Sequence, residues 1–258
     1  RVASTLDVFE DHASWDKAWE ARSAHFRVVT THSFGLAQDL ASGLEVMLRH
    51  VQETLGVNRQ PSRLLPVFVF GTIAEYNQFG TQNGQEHSSM YGSFYAQQHA
   101  ERPVAAVFDQ NPVFLRMQLT HSMVHEYLAD AFPGHRLPVW ADEGLAAYFS
   151  MFWDYPWGVA EFQRLKAAGK QPPLRQLLAE PIAAYPGSAH ERFVTLAMLY
   201  YWLLLYRPDT ATGPEQAPFR DYLLALLAGK DPTGLPITAL LGSADALEQG
   251  LRDYQFPR

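Results

Sequence analysis

The sequence predicts an α+β fold, with a small mixed sheet and helices in its first 110 residues and an all-helical remainder. Three observations predict it. Short β-branched and aromatic runs at 24–31, 64–70, 91–96 and 103–108 read as strands. From Pro112 onward, apolar residues recur at helical spacing between Pro- and Gly-bearing breaks. A chain of 258 residues, 47% of them hydrophobic and none of them cysteine, has enough apolar surface to bury a sizeable core without cross-links. One domain over 1–258 is expected, divided into a sheet-bearing part (1–110) and a part carrying the site helices (111–258).

Taken in order, residues 24–31 form the first expected strand. Over 38–56, Leu40, Leu44, Met47, Leu48, Val51 and Leu55 share one helical face, and Gly56 is a natural stop. Leu64 to Phe70 reads as a buried strand, and 80–90 as a polar, glycine-bearing loop. Tyr91–Ala96 and Pro103–Phe108 then suit a hairpin at a sheet edge, where Pro103 is tolerated. Residues 112–131 predict one long helix, capped by Asn111 with Pro112 at its first position. A break at 132–138 precedes a helix over 142–153 that has Asp142 as a candidate cap and Glu143 in its first turn. Further helices are expected at 159–168, 189–206, 217–228 and 243–253.

Composition removes several kinds of chemistry. Without cysteine there is no disulfide scaffold, no iron–sulfur cluster, no thiolate zinc site and no thiol nucleophile, so a metal must be held by His, Asp or Glu. Twenty basic residues against 27 acidic ones, with no basic run, argue against a nucleic-acid partner. The longest apolar run, Val194–Tyr206, has 13 residues and is too short to span a bilayer. The chain starts at Arg1 without Met, which allows for export with an upstream signal segment removed. Neither a G-x-S-x-G nucleophile elbow nor a glycine-rich phosphate loop occurs.

The stretch Leu119–Ser150 carries the chemistry. His121 and His125 stand four apart on the long helix, so both imidazoles project from one face, a turn from each other. This is the two-histidine half of a zinc site. Glu143 follows after 17 intervening residues on the next helix, and the small Gly144, Ala146 and Ala147 would let that helix approach the first closely.

With Trp140, Glu143, Gly144, Ala146 and Tyr148 forming W-x-x-E-G-x-A-x-Y, this arrangement resembles the gluzincin metallopeptidases, in particular the small peptidase MA-like members. The resemblance implies a zincin-like domain with the active-site helix between its two parts. It also implies Zn2+ held by His121, His125 and Glu143, and a peptide or protein ligand laid along an edge strand near 91–108.

Two positions depart from that pattern. Ser122 stands where the family carries its catalytic Glu, and loss of that general base is worth roughly a hundred- to ten-thousand-fold in rate. Ala147 stands where related enzymes often place a carboxylate behind a ligating histidine. Glu126, a turn beyond Ser122 and leaning toward the helix N-terminus, is a candidate substitute base; its plainer reading is a solvated or salt-bridged flank residue. Tyr185 and His190 are candidate oxyanion partners. Tyr200 and Tyr201 share that neighbourhood, although Phe193, Leu196, Leu199, Tyr200 and Leu203 form a core stripe that accounts for Tyr200 more simply. His87 and His99 flank the expected edge strand and could touch a ligand. Two functions follow: a zinc peptidase with an atypical base, or a catalytically inactive pseudo-peptidase that binds peptide or protein.

Overall fold

In the computed structural model, the described residues are 12, 14–82, 94–95, 104–107, 111–135, 137–179, 188–206, 217–231, 233 and 237–257. The chain divides into two compact units, Arg1–Ala131 and Phe132–Arg258. The division falls after the long helix that begins at Pro112, because that helix packs on elements of the first unit.

The first unit is built on a five-stranded sheet of order β1-β2-β3-β5-β4. Its strands are β1 (Trp19–Arg22), β2 (Phe26–Thr30), β3 (Leu65–Phe70), β4 (Phe94–Tyr95) and β5 (Val104–Val107). β2, β3 and β5 run parallel, and antiparallel β1 and β4 close the two ends. β3, paired on both sides, is buried at every residue, the near-continuous apolar run expected of a central parallel strand. The short β1, with exposed Arg22, lacks that signal and was not legible in the sequence.

A parallel pair needs a crossover, and helix α1 (Phe34–Leu55) provides it between β2 and β3. The Ser33 hydroxyl accepts from Leu36 N at its start. Gly56, with φ at 66°, ends it in the left-handed conformation that glycine adopts without a Cβ penalty. All six face residues expected from the periodicity, Leu40 to Leu55, are buried; each fully buried side chain of this size is worth about 1.5–3 kcal/mol. Val29, Phe68, Phe70 and Tyr76 form a cluster with Trp15 and Phe79 against it. Tyr76 and Phe79 belong to α2 (Ile73–Gln82), so the predicted loop at 80–90 begins as helix through Gln82; its remainder lies outside the described residues. Helix α3 (Pro112–Ala131) completes the unit against α1 and β5.

The second unit is helical: α4 (Val139–Met151), α5 (Tyr155–Ala167), α6 (Leu174–Leu177), α7 (Ala189–Tyr201), α8 (Ala217–Leu227), α9 (Ile237–Leu241) and α10 (Ala244–Asp253). A π-helical turn over Trp202–Tyr206 extends α7. The α4–α7 pair is its core. Tyr148 meets Tyr201 at 4.6 Å between ring centroids, and Tyr200 meets Phe219 at 5.2 Å. Helix α4 starts at Val139, three residues before its predicted start, so Asp142 is no cap. Pro138 occupies the N-cap position, and Asp142 lies inside the helix, where its charge favours the N-terminal dipole. Glu143 accordingly sits in the second turn, not the first. No helix among the described residues is long and apolar enough to cross a membrane.

Candidate metal centre

Helix α3 presents the histidine pair because its start is fixed and its far end is tied down. At the start, the Asn111 side chain accepts from Val113 N and Phe114 N at 3.0 and 3.2 Å. Leu115, Leu119, Met123, Val124 and Leu128 are buried along the shaft. At the far end the 59–63 segment grips the helix through polar groups. Ser62 donates from N and Oγ to Asp130, both at 2.6 Å. Arg59 donates to the Ala131 carbonyl at 2.8 Å, and the Tyr127 hydroxyl donates to the Arg59 carbonyl at 2.9 Å. Arg63 pairs with Glu126, whose side chain is only 2% exposed. None of these links carried a sequence signal, since they join residues some 70 positions apart by side-chain reach alone.

The same helix carries the two candidate histidine ligands, one turn apart. The Nε2 atoms of His121 and His125 are 3.2 Å apart, with the rings edge-to-face at 78°. Two imidazole nitrogens on one tetrahedral zinc, at bond lengths of about 2.0–2.1 Å, stand about 3.3 Å apart. The pair is thus at the separation a shared ion would impose. Among the described residues, His121, His125 and Glu143, all three half-buried, make up a group that could hold a metal ion. Two nitrogens and a carboxylate oxygen, without sulfur, form a donor set suited to zinc. The donors present therefore fit the ion that the motif implies.

Glu143 owes its placement in its own unit to α7. Gly144 has Tyr200 pressed against it: a Cβ there would fall 2.2 Å from Tyr200 Cε2. The Tyr200 hydroxyl donates to the Ala141 carbonyl at 3.0 Å. Burial first, then the nearby Tyr222 and Asp142, pushes the Tyr200 phenol well above its ordinary range, so it stays a protonated donor. The smallness of Gly144 thus serves the ring of α7. Tyr200 is fully buried, as its place in the core stripe suggested.

The remaining sequence candidates separate. Ser122 is half-buried on α3, in the turn between the two histidines. Glu126 is not solvated; it is buried and salt-bridged to Arg63. Ala147 is buried, with no carboxylate to offer a histidine. His190 is in the first turn of α7 and pairs with Glu161 at 2.7 Å, where it also touches the Trp157 ring. Its ring is engaged by the half-buried Glu161 carboxylate, which gives the oxyanion role no support there. Tyr185, His87 and His99 lie outside the described residues. The residues that sequence reasoning missed are Arg63, hidden by its distance along the chain, and Tyr200 as the neighbour of Gly144. Gly144 itself was the available signal for the second. Comparison of the chain with protein-family models and with curated proteins returns no match.

Proposed function

We propose that this protein is a zinc-binding domain of metallopeptidase type that binds peptide through a metal site lacking the usual base. The observation that carries the reading is the His121–His125 pair on one helix, its Nε2 atoms 3.2 Å apart, with Glu143 completing a group that could hold a metal ion. These three residues would hold the ion, which supplies Lewis-acid polarisation of a ligand oxygen when bound. Ser122 offers a hydroxyl, able to donate or accept a hydrogen bond but too weak a base at neutral pH to take a proton as a carboxylate does. β4 lies at the outer end of the sheet order, which supports an extended peptide pairing there.

The competing reading is a zinc peptidase with Glu126 as base. It requires a carboxylate that is buried and bound to Arg63 to accept a proton from the reacting water, so the ion pair favours the binding role.

Zinc content and thermal melting test the first element. Purified chain should bind one equivalent, and zinc at a hundredfold excess over Kd should stabilise it by about 2.7 kcal/mol; His121→Ala should lose both. A melting temperature indifferent to zinc overturns the reading. Peptidase assays test the second. The native chain should be silent and Ser122→Glu should gain activity, whereas native hydrolysis abolished by Glu126→Gln would establish the competing enzyme.

A further inference from the structure

We propose that Tyr200 is a positioning residue for the metal site. Its ring and hydroxyl set where the first turns of α4 lie against α7, and so where the Glu143 carboxylate is presented. The inference rests on Glu143 being a metal ligand, and it assigns a role to a residue that touches neither ion nor substrate.

Tyr200 reaches α4 on both sides of Glu143 in sequence. Two residues before it, the Ala141 carbonyl accepts from the Tyr200 hydroxyl at 3.0 Å. One residue after it, the ring edge occupies the space that a Cβ on Gly144 would need, at 2.2 to 2.9 Å from the ring atoms Cε2, Cζ and Cδ2. Three residues before it, the Trp140 ring lies 6.3 Å from that of Tyr200. The ring has little room to yield. It is fully buried and meets Phe219 at 5.2 Å, while Trp140 and Phe219 each stack with Tyr222 at 6.4 Å. Such a close approach needs glycine at 144, because any Cβ would drive α4 and the Tyr200 ring apart. A helix acts as a rigid rod over two turns, so moving Gly144 moves Glu143 with it. Metal ligation is sensitive to small displacements, and residues that orient ligands typically carry ten- to a hundredfold in affinity.

The test is zinc affinity of the full chain, read by competition with a chromophoric chelator, together with the visible spectrum of the cobalt-loaded protein. Glu143→Gln is the control for the underlying reading: native chain that binds no zinc, or Glu143→Gln that binds as tightly as native, removes Glu143 as ligand and the proposal with it. Given a zinc-binding native chain and a weakened Glu143→Gln, Gly144→Ala should bind zinc about tenfold or more weaker while retaining its helical circular dichroism. Gly144→Ala combined with Tyr200→Leu should recover affinity to within about threefold of native, since Leu leaves space for the added methyl. A merely structural role for Tyr200 would lower the stability of these variants without moving the zinc affinity or the cobalt spectrum of the folded protein. Native affinity in folded Gly144→Ala, or a double variant no better than the single, overturns the proposal. If Gly144→Ala does not fold, Tyr200→Phe decides: it keeps the ring, loses the bond to Ala141, and should shift the cobalt spectrum and weaken zinc by a few-fold. An unchanged spectrum and affinity overturns the proposal.

Discussion

The two helices that carry the candidate ligands are held in place by different physics. Helix α3, bearing His121 and His125, is gripped at its far end by charged and amide groups: Arg63 on Glu126, Ser62 on Asp130, Arg59 on the Ala131 carbonyl. Helix α4, bearing Glu143, is held by rings and small residues, with Tyr200 on Gly144 and Trp140, Phe219 and Tyr222 around it. Polar grips are directional and fail when one partner is lost, because the other is left buried and unpaired. Ring packing fails through lost volume and leaves a cavity. Each helix should therefore respond to its own class of substitution.

The largest expected effect lies on the packed side. Phe219→Ala should cost about 3–5 kcal/mol in urea unfolding, through lost contact around Tyr200; a cost below about 1 kcal/mol would mean that ring packing does not hold α4. On the polar side, Arg63→Met should cost about 3 kcal/mol by stranding the Glu126 carboxylate. Adding Glu126→Leu should recover most of it, since an apolar pair replaces a buried ion pair at little net cost. A double variant as unstable as the single would show that Arg63 acts by packing, and would blur the contrast.

Smaller effects sharpen the comparison further. Ser188→Ala removes the capping box at the start of α7, in which Ser188 Oγ accepts from Glu191 N while Glu191 accepts from Ser188 N. It should cost about 1 kcal/mol and leave zinc affinity intact, because the cap is three turns from Tyr200. The smallest effect comes from the ionic clasp of the second unit. Arg164 hydrogen bonds first, then His190, hold the Glu161 carboxyl down to about 2 from an ordinary 4.5. A depressed carboxylate contributes stability above its unfolded value and loses it as pH falls from 4.5 through about 2. Its partners Arg164 and His190 are exposed, so solvent screening keeps the contribution under about 1 kcal/mol. Melting curves of native protein and Glu161→Gln should differ slightly at pH 6 and converge near pH 2. A difference that grows toward low pH would contradict the assignment.

Much of the fold was legible residue by residue. The α1 face, Gly56 as its stop, the all-apolar β3, and Asn111 with Pro112 at the head of α3 are local signals, and all stand where the periodicity and capping chemistry put them. β1, α2, α6 and α9 were not legible: β1, α6 and α9 are too short to show a period, and α2 buries only Tyr76 and Gly80, so it carries no apolar stripe. The start of α4 was misplaced because Asp142 looks like a cap, whereas Pro138 and the burial of Trp140 begin the helix a turn earlier.

By itself, the sequence determined that any metal would be held without sulfur, that two histidines would share a helix face, and that Ser122 would stand between them. These follow from residue type and spacing within a few turns. Only the tertiary structure decided the fate of Glu126 and the use of Gly144. Arg63 is 63 residues from Glu126, and Tyr200 is 56 residues from Gly144. No local periodicity encodes which distant side chain will neutralise a carboxylate or fill the space left by a missing Cβ; that is settled when the elements pack.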